Sequence, residues 1–154
     1  MKDLFLIVSY AFSIFTSSAS CENDNAAPGQ VNINANPSGS KMIIRIGTST
    51  FNATLYDNAT ASAFTSMLTL TLDMVELNGN EKYADLSRSL PTKAGNPGTI
   101  QSGNLMLCGS STLVLFYKSF STSYTYTMLG RIDDVTGLAA ALGPGNVNVT
   151  FELD

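Results

Sequence analysis

From Lys41 onward the chain is a succession of short alternating runs of apolar and polar residues, broken at glycine-containing turns. Lys41 to Ile46 and Thr50 to Tyr56 alternate with a period of two on either side of Gly47-Thr48-Ser49, the pattern of a β-hairpin. Between Ala59 and Leu68 the period changes: Ala61, Phe64, Met67 and Leu68 fall at helical spacing, and Asn58 stands where an N-cap is needed. Extended structure resumes at Leu70 to Leu72 and Met74 to Leu77. The Asn78-Gly79 dipeptide then predicts a tight turn into Glu81 to Leu86, with Asn78 to Lys82 read as a solvated hairpin turn. Leu105 to Cys108 and Leu113 to Tyr117 flank Gly109-Ser110-Ser111 as another hairpin, and Tyr124 to Ile132 and Val147 to Leu153 alternate again. Val135 to Leu142 is short and alanine-rich, preceded by Asp133-Asp134 at the end where a helix dipole is positive and closed by Gly143-Pro144-Gly145. It predicts a second helix.

About eight short strands with a helix after the first hairpin and another before the last strand predict a mainly β domain. The expected architecture is a closed antiparallel barrel capped by two short helices, closure being the arrangement that leaves no exposed edge. Ser89 to Ser102, with two prolines and two glycines, interrupts the strands as a long loop at a possible rim. No internal repeat points to a solenoid or propeller.

The first forty residues have a different character. Lys2 precedes the charge-free, mostly apolar run Leu4 to Phe15, too short to span a bilayer, and small residues follow to Ser20. This predicts a signal peptide over 1–20. Ser18-Ala19-Ser20 before Cys21 resembles the lipobox of bacterial lipoproteins, which would make Cys21 a lipidated first residue and tie the protein to a membrane. An ordinary secretory cleavage near Ala19 or Ser20 is the alternative, leaving Cys21 a plain thiol; both export the protein to the cell envelope. Residues 21–40 are rich in Asn, Pro, Gly and Ser and read as a flexible linker of about 25 Å, leaving 41–154 as the folded domain. Cys108 sits in the apolar run Leu105 to Cys108, which predicts a small buried hydrophobe in a chain without disulfides.

Composition narrows the chemistry. In 154 residues there are 8 Lys and Arg against 12 Asp and Glu, a net charge of −4, which argues against nucleic acid as a partner. With no histidine, Ser-His-Asp and Cys-His catalysis and His-ligated zinc are excluded. Arg131 with Asp133 and Asp134 is a weak metal pattern, since neighbours on a strand point to opposite faces, so no metal and no cofactor are expected. The densest binding signal is Phe116 to Thr127, where twelve residues hold five aromatics, six Ser or Thr and one lysine. Tyr124, Tyr126 and Met128 share one face of the predicted strand, and tyrosines among adaptable hydroxyls suit peptides, sugars or flat rings. The same composition also suits a strand that only packs.

Several segments carry a family resemblance: Tyr56-Asp57-Asn58-Ala59-Thr60-Ala61, Glu81-Lys82-Tyr83, Leu90-Pro91-Thr92, Gly103-Asn104-Leu105, Leu115-Phe116-Tyr117-Lys118-Ser119-Phe120 and Leu129-Gly130-Arg131-Ile132. Over about Met42 to Glu152 the chain resembles the bacterial cyclophilin-like domain family. The resemblance implies a cyclophilin-type barrel of eight strands and two helices, and no established activity. Cyclophilins proper isomerise prolyl bonds with an arginine beside an apolar pocket, and their arginine, phenylalanine and glutamine motif is not matched here. Any such activity would fall to Arg131 or Arg88. The leading expectation is a non-catalytic peptide- or small-molecule-binding module with Tyr117, Lys118, Phe120, Tyr124, Tyr126 and Arg131 at the ligand surface. A degenerate prolyl isomerase and a purely structural envelope protein are the alternatives; the sequence leaves the oligomeric state open.

Overall fold

The computed structural model describes residues 36–154. The predicted signal peptide, Cys21 and most of the linker therefore lie outside the described residues. The end of that linker is not free of structure. The Gly39 N–H donates to the Leu55 carbonyl at 2.8 Å and the Leu55 N–H to the Ser40 carbonyl at 2.9 Å, so ordered backbone begins just before the expected Lys41.

Ten strands and two helices follow in the order β1 (Lys41–Ile46), β2 (Ser49–Leu55), α1 (Ala59–Thr65), β3 (Leu70–Leu77), β4 (Glu81–Asp85), β5 (Thr99–Ile100), β6 (Asn104–Cys108), β7 (Thr112–Phe116), β8 (Phe120–Ser121), β9 (Thr127–Ile132), α2 (Leu138–Leu142) and β10 (Val147–Leu153). Eight of the strands close an antiparallel barrel in the order β1-β10-β3-β4-β7-β6-β9-β2, while β5 and β8 pair separately as a two-residue ladder. The alternation read from the sequence becomes the two faces of the wall. Met42, Ile44 and Ile46, Phe51, Ala53 and Leu55, Leu105 and Leu107, Leu113 and Leu115, and Val149 and Phe151 turn inward into one core. Asn78 and Gly79 both take positive φ between β3 and β4, the backbone a tight hairpin turn requires.

Both helices contribute to the barrel core. The Asn58 Oδ1 accepts from the Ala61 N–H at 2.8 Å, the N-cap bond expected of it, and its Nδ2 donates to the Met128 carbonyl at 2.9 Å, fastening α1 to the segment entering β9. Phe64 meets Phe151 edge-on at 5.9 Å between ring centroids. α1 ends at Thr65, short of Leu68. α2 starts at Leu138, later than Val135, and its first turn holds no acid. Asp133 instead accepts from Thr54 Oγ1 at 2.7 Å and pairs with Lys41, and Asp134 accepts from the Thr136 N–H at 2.9 Å in its own turn. Tertiary partners and a local turn claim both carboxylates before the helix begins.

A second, smaller core lies outside the barrel wall. Ile100, Met106, Val114, Phe116, Tyr126 and Met128 are buried together there, with Tyr56, Tyr83, Cys108 and Phe120 packed against them. The long loop supplies its cover. Gly95 and Tyr126 exchange backbone bonds at 3.0 Å, Thr60 Oγ1 donates to the Pro91 carbonyl at 2.6 Å, and the Lys93 N–H donates to Thr127 Oγ1 at 3.1 Å. Residues 89–102 thus form a strap across the wall rather than a free rim.

Candidate functional site

The outward face of β7, β6 and β9 is apolar where the strap crosses it, and the aromatic-rich segment supplies much of the filling. Phe116 is fully buried; Phe120 and Tyr126 pack against it at centroid distances of 5.7 and 5.6 Å, Tyr126 edge-on. Tyr126 is only 4% exposed, so its ring packs in the outer core instead of facing a ligand. The predicted strand from Tyr124 is shorter than expected, because the chain pairs with the strap at Tyr126 and joins β9 only at Thr127. That leaves Tyr124, 47% exposed, and Lys118, also exposed, as members of the predicted ligand surface that face solvent. Burial, followed by the charge of Glu81, pushes the Tyr126 phenol up to about 12.

Tyr117 belongs to a different environment. Its hydroxyl donates to the Glu76 carboxylate at 2.9 Å, and its ring lies 5.5 Å from Lys82 Nζ. Lys82 is completely buried on the inner face of β4, where it pairs with Glu76 and donates to the carbonyls of Gly143 at 2.8 Å and Gly145 at 2.6 Å. Burial pushes the Glu76 carboxyl up, but hydrogen bonds from Lys82, Tyr117 and the Gly79 N–H, with the Lys82 charge, outweigh it and hold the group below the usual carboxylate range. Burial first, then the bond to Glu76 and the charges of Glu76 and Glu81, push Tyr117 up to about 12. The sequence reading placed Lys82 in a solvated turn. Its alternation with Ala84 was the available signal that it faces inward.

Glu81 is the outward neighbour of Lys82. It sits in register between Leu77 on β3 and Phe116 on β7, 9% exposed, with no hydrogen bond or ion pair to its carboxylate among the described residues. Burial, then the charge of Glu76, pushes it up to about 7. A carboxyl titrating near neutrality in an aromatic surround marks this wall chemically, and neither the turn reading nor the aromatic reading found it.

Arg131 is not brought together with Tyr117, Tyr124 or Tyr126. It lies five residues beyond Tyr126, about 16 Å by strand rise, at the far end of β9. A register irregularity at Leu105/Met106 places Met106 opposite Met128 and Leu105 opposite Gly130, so Arg131 emerges on the outer face between Thr54 and Asn104. Tyr56, two residues past Thr54, is its diagonal neighbour; burial pushes that phenol up and the Arg131 charge pulls it back. The other arginine candidate, Arg88, is engaged elsewhere, donating to the Ala63 carbonyl and Ser66 Oγ at the end of α1. Among the described residues no group of three or more His, Cys, Asp or Glu side chains gathers as metal ligands. Cys108 is half-buried and disulfide-bonded, not a buried thiol. With Leu105 and Leu107 turned inward, alternation puts it on the outer face with Met106.

Among the described helices none is long and apolar enough to cross a membrane. A search of the curated proteins finds no match. Among solved structures, the chain is similar to the solution structure of the hypothetical protein AF2241 from Archaeoglobus fulgidus, at 16% identity and a TM-score of 0.50, covering 75% of this chain and 95% of that one. At that identity the likeness speaks for the fold alone. The family model described as the Cyclophilin-like family matches residues 44–152, the span from the first strand of the barrel to the last. The chain belongs to the Cyclophilin-like family.

Proposed function

We propose that the protein is an exported envelope protein whose barrel is a non-catalytic binding module, with the surface around Lys118, Phe120 and Tyr124 as its peptide-binding rim. The observation that carries this reading is the exposure of Tyr124, two residues from Tyr126 in the packed ring cluster of Phe116, Phe120 and Tyr126. Such a tyrosine offers apolar area and a hydroxyl at small conformational cost on binding. A prolyl-isomerase reading has less support. The apolar wall is filled by the chain's own rings, Arg88 is held at the end of α1, and Arg131 stands away from the aromatic cluster. The burial of Phe116 and Tyr126 favours, as a second reading, a structural protein in which the segment only packs.

A peptide array probed with the full chain, repeated with Tyr124→Ala and Lys118→Ala, separates these readings. Peptides retained by the parent and lost by both variants support the rim; retention unchanged in both defeats it. In a prolyl cis/trans assay the spontaneous rate is expected, and catalysis that disappears in Arg131→Ala would overturn the non-catalytic assignment.

Anchoring through a lipidated Cys21 is part of the proposal and has its own test. The chain has two cysteines and Cys108 is disulfide-bonded, so a lipid thioether on Cys21 and an intramolecular disulfide are mutually exclusive states of one sulfur, which the mass tells apart. Intact mass of the protein extracted from membranes should show the lipid on Cys21, and a mass without lipid removes the anchor while leaving export standing.

A further inference from the structure

Three hydrogen-bond donors are placed by strand register on the outer wall at the far end of β9, and none has an acceptor among the described residues. Arg131 is half-buried and makes no hydrogen bond or ion pair among the described residues. Directly opposite it on β6, Asn104 is 4% exposed and uses its Oδ1 to accept from the Gln101 N–H at 2.7 Å. That bond fixes which end of the amide is which and leaves Nδ2 unused. Tyr56, the diagonal neighbour of Arg131 beyond β2, has a hydroxyl that is buried without any partner. Buried polar groups are nearly always paired, so the orphaned Tyr56 hydroxyl calls for an explanation, and the unused Asn104 amide and Arg131 guanidinium on the adjoining strands supply two further donors on the same face.

We propose that Tyr56, Asn104 and Arg131 form a carboxylate-binding site on the outer barrel wall. The guanidinium fork matches the two oxygens of a carboxylate, and the amide and phenol supply further donors to the same charge. Local charge favours a monoanion over a phosphate dianion. Lys41 and Asp133, next in the row through Thr54, pair with each other at 3.4 Å and cancel, leaving Arg131 as the net charge. Met106 and Met128 pair on the same outward face, and Tyr56 packs against their cluster, so the ligand carries an apolar group beside its carboxylate. The site stands apart from the tyrosine rim and does not depend on that rim binding anything.

Titrating the full ¹⁵N-labelled chain with sodium benzoate, against sodium chloride as control, tests this. Saturable shifts are expected at the Arg131 Nε–H and the Asn104 side-chain amide, with a Kd on the order of 1 mM. Arg131→Lys, which keeps the charge and loses the fork, and Tyr56→Phe should each weaken benzoate by about tenfold, a loss of one good hydrogen bond. Tyr124→Ala should leave it unchanged. Tyr56→Phe should unfold at or above the parent temperature, since it removes an unbonded buried hydroxyl. Shifts that stay linear in benzoate, or an affinity indifferent to both substitutions, overturn the site. Tighter binding of inorganic phosphate overturns the monocarboxylate assignment. A destabilised Tyr56→Phe with unaltered benzoate affinity assigns the hydroxyl to an internal water and defeats the proposal as well.

Discussion

Lys82 and Glu81 are neighbours in sequence, both ionisable and both buried, yet the barrel treats them in opposite ways. Lys82 points inward and is surrounded by the Glu76 carboxylate, two backbone carbonyls from the turn after α2 and the face of Tyr117. Glu81 points outward into an aromatic surround and receives no hydrogen bond among the described residues. The same contrast holds on a larger scale. The polar groups of the Lys82 cluster are completed by the protein, whereas on the outer wall Glu81, the Tyr56 hydroxyl and the Arg131 guanidinium are left incomplete among the described residues, as is Asn80 Oδ1 in the turn before β4. A satisfied buried network fastens a fold, and an unpaired buried polar group costs it stability.

Four experiments break or sharpen that contrast. The largest effect is expected inside. Lys82→Ala strands Glu76 without its cation and should cost about 3–5 kcal/mol in urea-denaturation stability, the usual result of removing one partner of a buried pair. Lys82→Met with Glu76→Leu should recover part of that loss. If the single change is neutral, the interior network is not a fastening.

Outside the wall, Glu81 predicts a pH dependence of definite sign. Its pKa rises from the ordinary Glu value of 4.5 when unfolded to about 7 when folded, so the folded state holds the proton more tightly. Stability relative to the unfolded chain is therefore greatest below the unfolded pKa, falls as pH rises between the two values, and levels off above about 7, a change of about 3 kcal/mol. Glu76, held low, acts in the opposite sense and in a lower window, where stability is lost as pH falls. Urea titrations across this range should show the slope in the parent and lose it in Glu81→Gln; an equal slope in both removes Glu81 as its source.

A smaller effect is expected where the two faces exchange. Gly130 lies against β2 so closely that an added Cβ would stand 2.9 Å from both Leu55 Cδ2 and the Thr54 carbonyl oxygen. Gly130→Ala should cost about 1–3 kcal/mol through overpacking and shift the amide resonances of Arg131. Unaltered resonances would mean that the register at this point does not hold the arginine in place. Least affected is the rim, where Tyr124→Ala should alter stability by no more than about 0.5 kcal/mol by thermal unfolding, as for an exposed side chain. A larger loss would move Tyr124 from the binding surface into the packing.

Much of the fold was legible because strand alternation and turn chemistry are local. Asn78-Gly79, the Asn58 cap and the inward rows of β1, β2 and β10 all follow from spacing along the chain. The candidate sites were legible only in fragments. The aromatic window was visible by composition, but its division into buried Phe116 and Tyr126, anchored Tyr117 and exposed Tyr124 depends on the strap crossing the wall at Gly95. Lys82 looked like a turn residue because its acceptors, Gly143 and Gly145, lie about sixty positions away. Arg131 is the clearest case. Uninterrupted alternation from outward-facing Met128 would turn it inward; the register irregularity beside Gly130 turns it outward, opposite Asn104. What the sequence determined by itself is the order and kind of the eight barrel strands and two helices, because hydrophobic periodicity and turn residues act over a few neighbours; the two-residue strands β5 and β8 have no such local signal. Tertiary structure alone decided which polar groups are completed and which are left open, because burial and hydrogen-bond satisfaction are set by strands that meet only when the barrel closes.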